Sequence, residues 1–106
     1  MIEIRYERKQ HKVTLKGHAG AGVPGQDLIC CAASIITYTL AANVRRMQKR
    51  GWIKRSVIHL APGDAEISCT PHKGSGQMVQ DRMDTVCMGF LLLARDYPEF
   101  VSCCVK

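Results

Sequence analysis

The sequence predicts a single α+β domain over residues 1–106, its elements in ββαββαβ order, with a mixed β-sheet packed against two helices. Three observations carry that expectation. Ile2, Ile4 and Tyr6, then Val13 and Leu15, alternate with polar residues as half-buried strands do. From Leu28 to about Arg50 nothing breaks a helix, and Val79, Met83, Val86, Phe90 and Leu93 recur at helical spacing. A chain of 11.8 kDa has room for one hydrophobic core and no more.

Taken in order, the first two strands join near Lys9 and Gln10 as a hairpin, and His18 stands at the exit of the second. The glycine-rich segment from Gly20 to Gln26 reads as a mobile loop, and Asp27 as the N-cap of the first helix, which Gly51 stops. Because that helix is apolar nearly all round through Ala42, it is expected at the centre of the fold or against a partner. Ser56 to Ala61 and Glu66 to Thr70 flank Pro62-Gly63-Asp64 as a second hairpin. Gly74-Ser75-Gly76 leads into the second helix, Tyr97-Pro98 ends it, and Phe100 to Val105 supplies the last strand.

The opening MIEIRYERK has no apolar run of the secretory kind, and Ser34, Thr37, Tyr38, Thr39 and Asn43 interrupt the longest apolar stretch, so neither export nor a membrane span is expected. Four of the six cysteines stand as neighbours, Cys30/Cys31 and Cys103/Cys104, which cannot staple distant segments to each other, so reduced thiols in a cytoplasm are expected. The net charge of +6 is concentrated in the first half of the chain. RRMQKRGWIKR, Arg45 to Arg55, has six basic residues, no acid and one tryptophan; it reads either as a solvated helix end or as a surface for a phosphate backbone and a stacked base.

The chemistry concentrates in GHAGAGVPGQDLICCAAS, Gly17 to Ser34. If the helix starts at Asp27, Cys30 and Cys31 lie in its first turn, where free N–H groups and the macrodipole favour a thiolate and can serve an oxyanion. A strand end can carry His18 across the glycine loop to that turn, the pairing a cysteine nucleophile needs from its base. Asp27 and Ser34 fall near the Cys30 face, to orient the histidine and to hydrogen-bond the sulfur or a substrate. Each also has a plainer reading: an inert buried thiol, a structural histidine, a cap, or a serine bonded to the carbonyl one turn back. Spacing does not choose between Cys30 and Cys31.

The same stretch resembles the motif of the bacterial ribosomal-processing cysteine protease family, roughly G-H-A, a glycine-containing loop, then G-x-D-x-x-C-A-A-x-S. Gly17, His18, Ala19, Gly25, Asp27, Cys30, Ala32 and Ser34 coincide with it. The resemblance implies that Cys30 is the nucleophile and His18 the base, with Asp27 and Ser34 assisting. It implies a loop bearing Gly17, Gly20, Gly22 and Gly25 that rearranges to admit substrate. It also implies a homodimer that removes a short N-terminal extension from a large-subunit ribosomal protein, cutting after an aromatic residue; no metal or cofactor is expected. Two positions depart: Cys31 replaces the usual alanine, and Gly22-Val23-Pro24 makes the loop stiffer and more apolar.

Two other readings are weighed beside it. One is a non-enzymatic ribosome-associated module that holds RNA through the basic stretch 45–55; the other is a zinc or redox site begun by Cys69 and His72, which no second pair completes. Cys87, Cys103 and Cys104 are expected in the core, Met78, Met83 and Met88 as packing residues, and His11 and His59 as ordinary strand or turn residues.

Overall fold

Strand alternation holds most clearly in β1 (Ile2–Glu7), where Ile2, Ile4 and Tyr6 are buried and the charged residues between them face out. The computed structural model describes residues 1–19 and 24–106, and of residues 24–27 the backbone alone. After β1 come β2 (Lys12–Lys16), α1 (Pro24–Lys49), β3 (Ile53–Ala61), β4 (Asp64–Pro71), α2 (Gly76–Asp96) and β5 (Val101–Val105), which is the expected ββαββαβ order. The β1–β2 join is a short 3-10 turn, Arg8–Gln10, closed by His11 in the left-handed region at φ 50°.

The strands form one sheet in the order β3-β4-β2-β1-β5. β1 runs parallel to β5 and the other pairs are antiparallel, so the sheet is mixed. Both helices pack on one face, where Leu40, Ala41, Val44 and Met47 of α1 and Val79, Met83, Cys87 and Phe90 of α2 meet Ile4, Tyr6, Ile67 and Val101. The segment Leu28–Lys49 is long and apolar enough to cross a membrane, but here its apolar face lines the core.

A polar cluster ties β1 to α2. The Tyr6 hydroxyl donates to Asp84 Oδ1 at 2.7 Å, Arg8 reaches both carboxylate oxygens at 2.8 and 3.1 Å, and Gln80 Nε2 donates to the Tyr6 oxygen at 2.7 Å. The Arg8 guanidinium holds the Asp84 carboxyl down at about 2, against the partial burial that opposes ionisation. Burial and the Asp84 hydrogen bond together push the Tyr6 phenol well above its ordinary value.

Several expectations are corrected. α1 starts at Pro24, not after Asp27, because proline's fixed φ suits the first helical position, where its missing N–H costs nothing. β3 starts at Ile53, three residues early, because a bulge between Ile53 and Arg55 breaks the alternation and leaves both Lys54 and Arg55 exposed. Cys104 is exposed, since neighbours in a strand point to opposite faces, and Met78 and Met88 lie on the outer face of α2 while Met83 is buried.

Candidate active site

The pairing of β2 with β4 determines where the site forms. Lys16 lies opposite Asp64, so the Pro62-Gly63 turn of the second hairpin arrives at the end of β2, beside His18. The Gly17 N–H donates to the Gly63 carbonyl at 2.9 Å. Lys16 and His59 both pair with Asp64, the latter at 3.3 Å, tying β2, β3 and β4 together at this corner and holding the Asp64 carboxyl below its usual range, chiefly through the Lys16 hydrogen bond. Gly17, at φ +96°, cannot be replaced without strain, and a Cβ there would strike the Met1 carbonyl oxygen. The Met1 ammonium donates to the His18 carbonyl at 2.8 Å.

A cavity of about 340 Å³ opens at this corner between the hairpin end and α1. His18, Gly17, Cys30 and Ser34 all line it, with Ile2, Leu15, Ala33 and Leu60 supplying apolar wall. Thr37 and Tyr38 complete the α1 side, and the Thr37 hydroxyl is satisfied by the Ala33 carbonyl at 2.7 Å. The structure thus gathers three of the four expected catalytic side chains around one space. Among the described residues neither the His18 ring nor the Cys30 sulfur has a hydrogen-bond partner; the ring rests on Gly63 instead.

Cys31 is exposed and does not line the cavity, because one residue along a helix rotates the side chain by about 100°. Spacing left the two thiols equal, and the helix separates them. The earlier start of α1 corrects another expectation: Cys30 is the seventh residue of the helix, in its second turn, where its N–H is engaged by the carbonyl four residues back. The free N–H groups of the first turn therefore lie one turn away from the sulfur. The Asp27 side chain, Gly20 and Gly22 lie outside the described residues; Gly25 is the second residue of α1, so the expected loop is shorter at its far end.

All six cysteines are free. Burial pushes the Cys69 thiol up to about 11 and the Cys87 thiol up to about 12, which keeps both protonated at neutral pH. Cys69 is buried in β4 while His72 is exposed beyond it. At the far end of α1, Trp52 carries two guanidiniums, Arg50 at 5.3 Å and Arg82 at 4.8 Å from the ring centre. The ring expected to stack a base is already engaged by cations, one of them from α2.

Sequence reasoning missed the wall formed by Leu60, Ala61, Pro62 and Gly63, and nothing local signals it, since it depends on which strand β4 pairs with. Thr37 and Tyr38 were missed as well, though a signal for them existed: with Ser34 they stand four, seven and eight residues after Cys30, one helical face.

Solved structures share this fold. The chain superimposes on S. aureus ribosomal processing protease Prp bound to a substrate peptide, with 19% identity, TM-score 0.74 and full coverage of both chains. The same protease with a covalently linked product peptide gives 20% identity and TM-score 0.70, again over both full chains. A Streptococcus mutans protein gives 22% identity and TM-score 0.68, over 99% of this chain and 91% of that one. Such identities establish the shared fold. No curated protein sequence matches. The family model for the cysteine protease Prp matches residues 1–102, nearly the whole chain, and the chain belongs to that family: it is a cysteine protease.

Proposed function

We propose that this protease removes a short N-terminal extension from a large-subunit ribosomal protein in the cytoplasm, using Cys30 as nucleophile and His18 as base. The observation that carries the reading is the shared cavity: Cys30, His18 and Ser34 open onto it, and its other walls are largely apolar. The imidazole takes the thiol proton, and the sulfur attacks the scissile carbonyl. Collapse of the tetrahedral intermediate breaks the C–N bond as the imidazolium returns its proton to the leaving amine. Water, deprotonated by the same imidazole, then hydrolyses the thioester, releasing the acid and restoring the thiol. Ser34 stands where its hydroxyl can meet the sulfur or the carbonyl oxygen. Ile2, Leu15, Ala33 and Leu60 suit an aromatic residue ahead of the scissile bond. The S. aureus relative, a ribosomal processing protease with a peptide bound, supports the substrate class.

The enzyme acts as a homodimer in this reading. Leu28, Ile35 and Tyr38 of α1 form an exposed apolar stripe, with Leu28 at 74% and Ile35 at 62% exposure, and Met88 and Leu92 of α2 are exposed as well. One further contact is favoured by the Arg50–Trp52–Arg82 stack: among the described residues neither guanidinium has a carboxylate partner, so both are free to hold RNA phosphates.

Turnover of a synthetic extension peptide tests the central reading. Cys30→Ala should abolish cleavage and Cys31→Ala should retain it within about threefold, as expected for a nucleophile acting as a unit with its base. Normal cleavage by Cys30→Ala would show the assignment to be wrong.

A further inference from the structure

Gly63 looks at first like an ordinary turn glycine. Its φ of +68° explains a preference for glycine, but asparagine also adopts that conformation, so the turn alone does not demand a missing side chain. The His18 imidazole does. A Cβ built on Gly63 would stand 2.7 Å from Cε1 and 3.1 Å from Cδ2 of that ring, and closer still to Nε2. The ring therefore lies directly on the bare α-carbon of the turn.

Neither backbone can retreat from such a collision. Lys16 opposite Asp64 and the Gly17 N–H bonded to the Gly63 carbonyl join the two segments, and Lys16 and His59 both hold Asp64. On the other side, Gly17 at φ +96° and the Met1 ammonium on the His18 carbonyl fix the backbone that carries the ring. The softest coordinate left is rotation of the imidazole itself. We infer that Gly63 is a positioning residue for the protease reaction: its bare α-carbon seats the His18 imidazole on the cavity wall it shares with Cys30, and any side chain there turns the ring away. The inference rests on the reading of His18 as the base.

The molecule contains its own control. Gly51 has φ +80° and nothing within 4 Å of a built Cβ, so Gly51→Ala meets the same kind of backbone strain without touching the site. The experiment compares Gly63→Ala, Gly51→Ala and His18→Ala in the full chain. Steady-state turnover of the extension peptide is measured together with the pH titration of the His18 ring proton by NMR, its resonance assigned by its loss in His18→Ala. The titratable groups around this corner are Cys30 across the cavity, the Met1 ammonium, Lys16, Asp64 and His59, and the substitution alters none of them. Gly63→Ala should lower kcat about 100-fold, the cost of roughly an ångström of misplacement, with KM changed less than threefold and the His18 resonance shifted. Gly51→Ala should change neither kcat nor the resonance. If Gly63→Ala is too unstable to purify, Gly63→Asn carries the same Cβ and accepts the left-handed φ. An unmoved His18 resonance, or a kcat within threefold of wild type where His18→Ala is inactive, overturns the seat. Full activity in His18→Ala would instead remove the base assignment, and with it the catalytic role given to Gly63.

Discussion

Tyr6→Phe deletes one hydroxyl from the interior and leaves the apolar packing of the ring intact. That oxygen donates to Asp84 at 2.7 Å and accepts from Gln80 at 2.7 Å, in a residue only 2% exposed. A hydrogen bond to a charged group contributes about 1.5–3 kcal/mol. The lower part of that range applies, because Asp84 is a third exposed and keeps Arg8 and Gln80. The expected loss is about 1.5–2 kcal/mol at pH 7, or roughly 6–12 °C in Tm for a chain of this size. Urea unfolding followed by circular dichroism measures it. The pH dependence provides a second check. Because Asp84 has a folded value near 2, below its unfolded value, its contribution is present above about pH 4 and disappears as pH falls towards 2. The gap between wild type and Tyr6→Phe should shrink over that window. The raised Tyr6 value acts in the opposite direction: wild type should lose stability as pH rises above 10, and Tyr6→Phe should not lose that component. A difference below about 0.5 kcal/mol at pH 7, or one of constant size from pH 7 to 2.5, would refute the account of this cluster.

Two more expectations follow from the helix surfaces. Ile35→Asp puts a charge in the exposed α1 stripe and should convert the proposed dimer to monomer by sedimentation velocity, with the monomer's circular dichroism spectrum unchanged; a dimer of undiminished affinity would remove that face from the proposed interface. Arg82→Glu reverses one of the two guanidiniums on Trp52 and should weaken binding of a fluorescent RNA at least tenfold at low salt while leaving peptide turnover within twofold; unchanged RNA affinity would assign the cationic end a structural role.

Most of the secondary structure was legible because its signals are local. The β1 alternation and the Val79-to-Leu93 spacing each reflect one buried face, and Gly51, at φ +80°, ends α1 as a left-handed stop should. Boundaries were lost where a second signal competed: the glycines around Pro24 masked a good first helical residue, and the bulge at Lys54 hid the start of β3. The site was half legible. Cys30, His18 and Ser34 lie in one continuous motif, and the helix face extends it to Thr37 and Tyr38. The opposite wall comes from the turn at Pro62-Gly63, well beyond the end of the motif at Ser34, brought there by the β2–β4 register. Pairing of that kind is a global choice of the sheet, and no window of sequence around Gly63 contains it.

The length of α1 sets a reach requirement. From Cys30 to Lys49 the helix climbs about 29 Å, so the proposed chemistry at one end and the positive charge at the other are separated by roughly nine residues of extended chain. A polypeptide shorter than that occupies one end at a time. Processing of a short peptide should then be nearly indifferent to ionic strength, whereas a full-length ribosomal protein carrying RNA would feel both ends at once and slow as salt rises.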